Sequence, residues 1–151
     1  MPTYVCAVPA NLLSEEQKAE LARAISRIHA EATGAPTYFV QVVIDEGTTT
    51  RFLGGERADR QIWIRGDIRA GRPESVRQGM MLAMMREVAA IARVKETEIW
   101  VYLCNLAPTD MVEYGHVLPA PGQERAWFDA LPEALRTYLS GLGTNRDSFK
   151  L

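Results

Sequence analysis

The strongest constraint on the fold is a strand–helix–strand order that occurs twice along the 151-residue sequence. Short runs rich in β-branched and aromatic residues are typical of buried strands, and apolar residues spaced three and four apart are typical of amphipathic helices. By these criteria the sequence predicts strands at 3–8, 38–44, 61–65 and 98–105, and helices at 14–34 and 73–93. Two units of matching order and length indicate an internal duplication.

The ends of the predicted helices carry their own signals. Ser14 and Gln17 have the Ser-x-x-Gln spacing of a capping box, which predicts the start of the first helix. Gly34, followed by Pro36, predicts where that helix ends. Pro73 suits the first position of the second helix, because that position needs no backbone N–H donor.

A helical connection between two strands predicts a parallel pair with a right-handed crossover in each unit. The simplest packing is an α+β fold, with a four-stranded mixed sheet and both helices on one face. We expect a single domain of two fused β-α-β units, about 2–60 and 61–118, with a short helical C-terminal extension at about 119–140. The segments 46–60 and 66–71 are predicted to be loops. The uncovered sheet face and the sheet edges predict oligomerisation, because they need cover.

Charge and composition exclude several classes of function. The 17 basic and 19 acidic residues give a net charge of −2, and the basic residues are scattered, so we expect no nucleic-acid partner. No apolar run is long enough to cross a bilayer and no secretory signal is visible, which favours a cytoplasmic protein without a membrane partner. Two cysteines without zinc-site spacing and only two histidines predict no metal.

The first residue that could carry chemistry is Pro2. Removal of the initiator methionine before a small residue would leave a free prolyl amine at the start of the first strand. A secondary amine is a strong base and nucleophile, and burial beside cations shifts its pKa. The plain alternative is a proline at position 2 that has no function.

A pair of arginines forms the second candidate. Arg69 and Arg72 lie three residues apart in the segment that leads into the second helix. Because a helix N-terminus favours anions, two guanidinium groups at that point would clamp a carboxylate. The alternative is a solvated loop, in which arginines are common.

Three further residues are candidates because of their surroundings in the sequence. His29 lies on the apolar stripe of the first helix, where core packing is the alternative to a role in a site. Tyr102 shares one face of its strand with Trp100 and Cys104, and packing alone also explains it. Glu113 lies among Met, Val and Tyr residues, where partial desolvation would suit a general base. The alternative is an exposed glutamate in a loop.

Together these residues resemble the tautomerase superfamily, and more narrowly its cis-3-chloroacrylic acid dehalogenase group. The resemblance rests on the Met-Pro start, the two β-α-β units and the candidate residues just described, and it runs from Pro2 to about Leu139. Similar segments are 52–55 (Phe-Leu-Gly-Gly), 99–102 (Ile-Trp-Val-Tyr), 111–115 (Met-Val-Glu-Tyr-Gly), 118–122 (Leu-Pro-Ala-Pro-Gly) and 127–128 (Trp-Phe).

The resemblance implies a tautomerase-type β-α-β fold that is doubled in one chain and assembled as a homotrimer. It implies an enzyme that uses no metal or organic cofactor and acts on a small unsaturated carboxylate. Pro2 would be a cationic acid that protonates a carbon of this substrate. Addition of water to a cis-3-haloacrylate would then give an unstable halohydrin, which collapses to malonate semialdehyde and halide.

The resemblance also implies roles for the other candidate residues. Arg69 and Arg72 would hold the substrate carboxylate, and His29 would assist them. Glu113 and Tyr102 would position and activate the attacking water. Side activity on the enol forms of keto acids is expected from the same set of residues.

One departure from the group bears on the substrate. The segment 33–39 reads Thr-Gly-Ala-Pro-Thr-Tyr-Phe, and its Ala35 and Pro36 resemble homologues that keep the six residues but dehalogenate poorly or without cis/trans selectivity. Two alternatives stay open. One is a general keto–enol tautomerase with Pro2 as the base and a 2-keto acid as the substrate. The other is a non-catalytic oligomer that binds a small anion.

Overall fold

The structure is a computed structural model that describes residues 2–47 and 50–142. Its strands are β1 (Thr3–Pro9), β2 (Gln41–Gly47), β3 (Phe52–Leu53), β4 (Glu56–Arg57), β5 (Ile62–Arg69), β6 (Ile99–Leu106), β7 (Val112–Glu113) and β8 (His116–Val117). Its helices are α1 (Glu15–Thr33), α2 (Glu74–Ala92), α3 (Glu124–Asp129) and α4 (Glu133–Ser140). Among the described residues, no helix combines the length and the apolar character that a bilayer crossing requires.

The main sheet has four strands in the order β2-β1-β5-β6. β1 runs parallel to β2, and β5 runs parallel to β6, so that one long helix connects each parallel pair. β1 and β5 are antiparallel, with Thr3 opposite Asp67 and Ala7 opposite Trp63. This central pair makes the sheet mixed, as predicted, and places the N-terminal end of β1 beside the C-terminal end of β5.

Both long helices pack on one face of the sheet and enclose a continuous apolar core. Tyr4, Cys6 and Val8 alternate along β1 and are fully buried in this core. From the helices the core takes Leu21, Ile25, Ile28, Met80, Met84 and Val88. Complete burial of one such side chain contributes about 1.5–3 kcal/mol, so this core is the main source of stability.

α1 begins and ends where its sequence signals predict. The Ser14 N–H donates to the Gln17 side chain at 2.9 Å, and the Gln17 N–H donates to the Ser14 hydroxyl at 3.2 Å, which completes the capping box. Gly34 takes a left-handed conformation with φ of 71°, and its N–H donates to the Ala30 carbonyl at 2.8 Å. These bonds satisfy backbone groups that the helix itself leaves unpaired.

β5 is longer than the sequence predicts. The predicted strand ends at Arg65 and is followed by a loop, but the observed strand continues to Arg69. It continues because Gly66 and Asp67 keep their pairing with both β1 and β6. As a result, Arg69 is the last residue of a central strand and is held by the sheet.

The region before and after β2 also differs from the prediction. The strand predicted to start at Tyr38 starts only at Gln41, because residues Thr37–Phe39 form a 3-10 turn in which both aromatic side chains are buried. The segment 46–60, predicted to be a loop, contains the last residues of β2 and the β3–β4 hairpin. Sequence alternation therefore located β2 to within a few residues but missed the hairpin.

A second apolar cluster attaches the C-terminal extension to this 3-10 turn. Its buried members are Tyr38, Phe39, Leu118, Phe128, Leu131 and Leu139. The ring centroids of Tyr38 and Phe39 are 4.2 Å apart, and the Trp127 indole donates to the Val117 carbonyl at 2.9 Å. The two short helices α3 and α4 are thereby fixed against the end of the sheet where β2 begins.

The face of the sheet opposite the helices carries aromatic side chains that one chain leaves uncovered. Trp100 and Tyr102 flank Val101, which packs on the core, and are 40% and 49% exposed. The ring of Trp63 meets Tyr102 edge-on, with centroids 5.8 Å apart. The buried indole N–H of Trp63 has no acceptor among the described residues. An aromatic surface of this kind is typical of a contact face.

Gly66 lies against the ring of Tyr4, so we expect any side chain at this position to destabilise the fold. A Cβ on Gly66 would overlap the Tyr4 ring and lie 2.8 Å from Leu103 Cδ2. Gly66→Ala should lower the free energy of unfolding by about 1–3 kcal/mol, the usual cost of overpacking a core. Urea denaturation followed by circular dichroism measures this change.

Gly79→Ala is the matched control. A Cβ on Gly79, on the exposed side of α2, meets no atom within 4 Å. Replacement of a helical glycine by alanine should raise the free energy of unfolding by about 0.5–1 kcal/mol. Two substitutions with the same effect on stability would contradict the close packing of Tyr4 on Gly66.

Candidate active site

A small cleft opens where the N-terminal end of β1 meets the C-terminal end of β5. Its walls come from the start of β1, from α1 and the turn after it, from the β5–α2 connection and from the C-terminal extension. The lining residues are Pro2, His29, Ala35, Phe39, Arg69, Arg72, Pro119 and Glu124. Four of the six predicted site residues therefore lie around one cleft.

Pro2 is held in place by the sheet. Its carbonyl accepts a hydrogen bond from the Gln41 N–H at 3.0 Å, and its side chain is fully buried. Because Thr3 pairs with Asp67 in an antiparallel register, the residue before Thr3 lies next to the last residues of β5. Strand pairing thus brings the proline ring close to Arg69 without a flexible connection.

Arg69 is buried, and its guanidinium group is fixed by the C-terminal extension. Its side chain is only 7% exposed. Nη1 donates to the Pro119 carbonyl at 2.9 Å, and Nη2 forms an ion pair with the Glu124 carboxylate. A buried cation needs such partners, because an unpaired charge in a low-dielectric interior costs several kcal/mol.

Arg72 is the cation of the cleft that is free to bind a ligand. Its guanidinium group donates no hydrogen bond to any residue in the described part of the chain. Burial and the nearby charge of Arg69 lower the pKa of Arg72, and Glu124 acts in the opposite direction. A guanidinium group still keeps its proton in a protein, so Arg72 offers a planar pair of donors to a carboxylate.

His29 contributes a neutral ring to the cleft. The side chain is 4% exposed, and its Nδ1 lies 2.8 Å from the Tyr4 hydroxyl. Burial, together with the positive charges of Arg72, the amino terminus and Arg69, lowers the pKa of His29 to about 3. The imidazole is therefore uncharged near neutral pH and acts through hydrogen bonds.

The contact with Tyr4 decides which nitrogen of His29 can donate into the cleft. A neutral imidazole has one N–H donor and one acceptor nitrogen. Burial, and to a lesser extent Cys6, raises the pKa of the Tyr4 hydroxyl, which keeps its proton. When this hydroxyl donates to Nδ1, the ring proton is on Nε2 and is available to an anion. Met80 Sδ, 3.7 Å from the Tyr4 oxygen, is a weaker acceptor for the same proton.

The other two predicted site residues are not among the residues that line the cleft. Glu113 is half-buried in the β7–β8 hairpin. Burial raises the pKa of Glu113, while the charges of the amino terminus and Arg69 act to lower it. Tyr102 lies on the open face of the sheet, where it contacts Trp63 and Trp100. Within one chain, the structure does not bring Tyr102 to the cleft.

Two residues of this region carry no signal in the sequence. Glu124 resembles any acidic residue at the start of a helix, and Tyr4 resembles any buried strand residue. Glu124 is 55 residues from its partner Arg69, and Tyr4 is 25 residues from its partner His29. Contacts at such separations depend on the assembled fold and leave no local periodicity.

The chemistry that this cleft supports is the binding of a small anion. Two guanidinium groups and a neutral imidazole face it, and a single carboxylate balances part of the positive charge. Among the described residues, no group of three or more His, Cys, Asp or Glu side chains could hold a metal ion. The groups that can bind an anion in this cleft are the two arginines and the histidine.

The sequence matches a known family over most of its length. The profile of the Tautomerase_3 family, described as an oxalocrotonate tautomerase enzyme, matches residues 1–130. No curated protein sequence matches significantly. The chain belongs to the tautomerase superfamily and is an enzyme of that class.

Comparison with solved structures identifies the group within the superfamily to which the chain belongs. The crystal structure of N1, a member of the cis-3-chloroacrylic acid dehalogenase (cis-CaaD) family, is 32% identical with a TM-score of 0.89. The match covers 93% of this chain and 99% of that chain. Within the superfamily, the protein is therefore a member of the cis-3-chloroacrylic acid dehalogenase-like group. The predicted family and the predicted α+β fold with a mixed sheet are confirmed.

More distant structures share the fold. The F6 fused 4-OT wild-type asymmetric trimer is 22% identical with a TM-score of 0.71, and the match covers 83% of this chain and 98% of that chain. The Q0 fused 4-OT wild-type symmetric trimer is 20% identical with a TM-score of 0.71, and the match covers 77% of this chain and 94% of that chain. At these identities the likeness concerns the fold alone.

The neutral, buried state of His29 predicts a loss of stability in acid. The unfolded chain takes up a proton at the ordinary histidine pKa of 6.5, whereas the folded chain resists protonation until about pH 3. The free energy of unfolding should therefore fall as the pH drops below 6.5, with about 2 kcal/mol of this contribution lost by about pH 5. Urea titrations at neutral pH and at that lower pH measure the loss.

His29→Gln should remove this contribution and show a correspondingly smaller loss between the two pH values. The matched control is His116→Gln, which replaces the chain's other histidine and leaves the contribution of His29 in place. A His29→Gln variant that loses as much stability on acidification as the wild type would show that His29 is not held neutral by burial.

Proposed function

We propose that this protein adds water to small unsaturated monocarboxylates, with an N-terminal proline as the general acid and no cofactor. The observation that carries the proposal is the cleft in which the buried Pro2 ring lies with Arg69 and Arg72. Membership of the dehalogenase-like group supports a cis-3-haloacrylate as the type of substrate. The same site would also act on the enol forms of keto acids.

Substrate binding is assigned to the side chains that have free donors. The Arg72 guanidinium group suits a two-bond contact with the substrate carboxylate. His29 donates a further hydrogen bond from Nε2, while its Nδ1 accepts from Tyr4. Arg69 contributes positive charge from its fixed position. With its carboxylate held in this way, a three- or four-carbon acid has its unsaturated carbons beside Pro2.

The proton and water steps involve Pro2 and Glu113. Removal of Met1, which lies outside the described residues, exposes the secondary amine of Pro2. As an ammonium group, Pro2 donates a proton to C2 of the acid. A water oxygen forms a bond to C3 and passes a proton to Glu113, whose raised pKa suits a general base. A 3-chloro product then loses chloride and a proton to give malonate semialdehyde.

A second candidate function keeps the site but reverses the role of Pro2. The charges of Arg69 and Arg72 disfavour a third positive charge, so they lower the pKa of a prolyl amine and favour its neutral form. A neutral amine is a base, suited to keto–enol tautomerisation of a 2-keto acid. The match to a family described as an oxalocrotonate tautomerase supports this candidate. Glu113 and a bound carboxylate favour the charged form instead.

The role proposed for Tyr102 requires a second copy of the chain. We propose a homotrimer in which the open sheet face of one copy contacts its neighbour and brings Tyr102 to the neighbour's cleft. The exposed aromatic rings of this face and the unpaired indole of Trp63 among the described residues support such a contact. The trimeric fused 4-OT structures, which share the fold, support it as well.

Replacement of Pro2 tests the proposed chemistry directly. Wild-type protein incubated with cis-3-chloroacrylate or but-2-ynoate should form a carbonyl product. Pro2→Ala should lower kcat by about 10²-fold or more, because the positioned general acid is lost. Intact-mass measurement of each sample establishes that Met1 has been removed. Pro9→Ala, at the other end of β1, is the matched control and should keep wild-type turnover.

The pH dependence of wild-type kcat then assigns the role of Pro2. Activity lost as the pH rises through the prolyl pKa indicates an acid and supports hydration, whereas activity lost as the pH falls indicates a base and supports tautomerisation. Turnover that is unchanged in Pro2→Ala would rule out both functions. A wild-type protein that binds the acids but turns over neither them nor a 2-keto acid would be the non-catalytic anion-binding oligomer.

Mixing two inactive variants tests the shared site. In a site that takes Pro2 from one copy and Tyr102 from the next, co-refolded Pro2→Ala and Tyr102→Phe chains should regain about a quarter of wild-type activity, the statistical fraction of intact sites. Each variant refolded alone is the control. If both residues act within one copy, the mixture contains no intact site, and its activity stays at the mean of the two variants.

A further inference from the structure

Glu124 is the one carboxylate that lines the cleft within the described part of the chain, and nothing in the reaction described above uses it. It stands at the start of α3, in the C-terminal extension, and its side chain is 23% exposed. One of its oxygens is paired with Nη2 of Arg69. Burial acts to raise the pKa of Glu124, but its own backbone N–H, Arg69 and the Gly122 backbone outweigh burial and lower it.

Because of this ion pair, the two arginines differ in how many hydrogen-bond donors they can offer to a ligand. Arg69 already donates to the Glu124 carboxylate and to the Pro119 carbonyl. Arg72 has no such partner among the described residues. The charges that line the cleft therefore amount to two guanidinium groups and one carboxylate, since His29 is neutral. In the proposed reaction the Pro2 ammonium adds one positive charge and the Glu113 carboxylate adds one negative charge. One uncompensated positive charge therefore remains, which matches one carboxylate group.

We propose that Glu124 is a specificity-determining residue that restricts the cleft to acids with a single carboxylate group. This inference rests on the proposed function, because it concerns the substrate of the same site. A monocarboxylate binds to Arg72 and leaves the Arg69–Glu124 pair intact. A dicarboxylate of the same length must place its second charge near Glu124, or displace Glu124 from Arg69.

Both choices are unfavourable to a dicarboxylate for physical reasons. Two carboxylates that face each other at close range in a partly buried site repel strongly. Displacement of Glu124 leaves a partly buried carboxylate without its partner, which is also costly. Glu113, a second acidic residue whose pKa the charge of Arg69 influences, adds further negative charge. The cleft thus selects by charge between acids that have the same carbon chain.

Butanoate and butanedioate are a matched pair of probes for this selectivity. They have the same carbon chain, differ only in a methyl group or a second carboxylate, and cannot react in the proposed way. Titration calorimetry at about pH 7.5, where both acids are fully ionised, gives the two dissociation constants. The measurement is made on wild type, Glu124→Gln, Glu124→Asp and Glu133→Gln.

We expect wild-type protein to bind butanoate more tightly than butanedioate. In Glu124→Gln, the ratio of the butanedioate to the butanoate dissociation constant should fall by about tenfold or more, because removal of one charge favours the dianion. Glu124→Asp keeps the charge and should keep the wild-type ratio. Glu133→Gln makes the same substitution in the first turn of α4, away from the cleft, and should also keep the ratio.

A purely structural role for Glu124 would change stability, or both affinities together, and leave the ratio unchanged. An unchanged ratio in Glu124→Gln, with both acids still bound, therefore overturns this inference and leaves the proposed anion site intact. Absence of binding of either acid to the wild-type protein overturns the proposed function and this inference together. A fall in the ratio that Glu124→Asp reproduces would also contradict selection by charge.

Discussion

The antiparallel pairing of β1 with β5 is the constraint on which the rest of the structure depends. It sets the N-terminal end of one strand, with Pro2, against the C-terminal end of the other, with Arg69. Neither residue is placed by a loop, because Arg69 pairs with Leu106 of β6 and the Pro2 carbonyl accepts a hydrogen bond from the Gln41 N–H. The parallel partners then bring the long helices to one face, so that α1 supplies His29 to the same end of the sheet. The position of the cleft follows from the order of four strands.

Much of this architecture can be predicted from the sequence, because the sequence signals for its strands and helices are local. Alternating apolar residues, the Ser14–Gln17 capping box and the stop at Gly34 locate strands and helices, and a long helix between two strands requires a parallel pair. The length of β5 is not readable in this way. Gly66 and Asp67 resemble turn residues, and only their pairing with strands on both sides keeps them extended. The two small hairpins could not be predicted from the sequence either, because strands of two residues have no periodicity.

The residues of the candidate site could be predicted from the sequence only in part. Pro2, Arg69, Arg72 and His29 stand out by their chemistry and their resemblance to a family, and the fold brings them to one cleft. Glu124 could not be found in the sequence, because its importance comes from an ion pair that only the packing of the C-terminal extension creates. Residue type predicts what a side chain can do, while its partner depends on contacts between distant segments.

The two β-α-β units have the same topology, but they are not equivalent chemically. β1 begins next to the amino terminus, whereas the residue before β5 is Gln61, an internal and buried residue whose nitrogen belongs to a peptide bond. Under the proposed chemistry, the first half of the chain supplies the reacting amine of Pro2, and the second half supplies most of the residues that bind the substrate. A circular permutant opened just before β5 would keep every strand pairing and yet convert the amine of Pro2 into an inert amide.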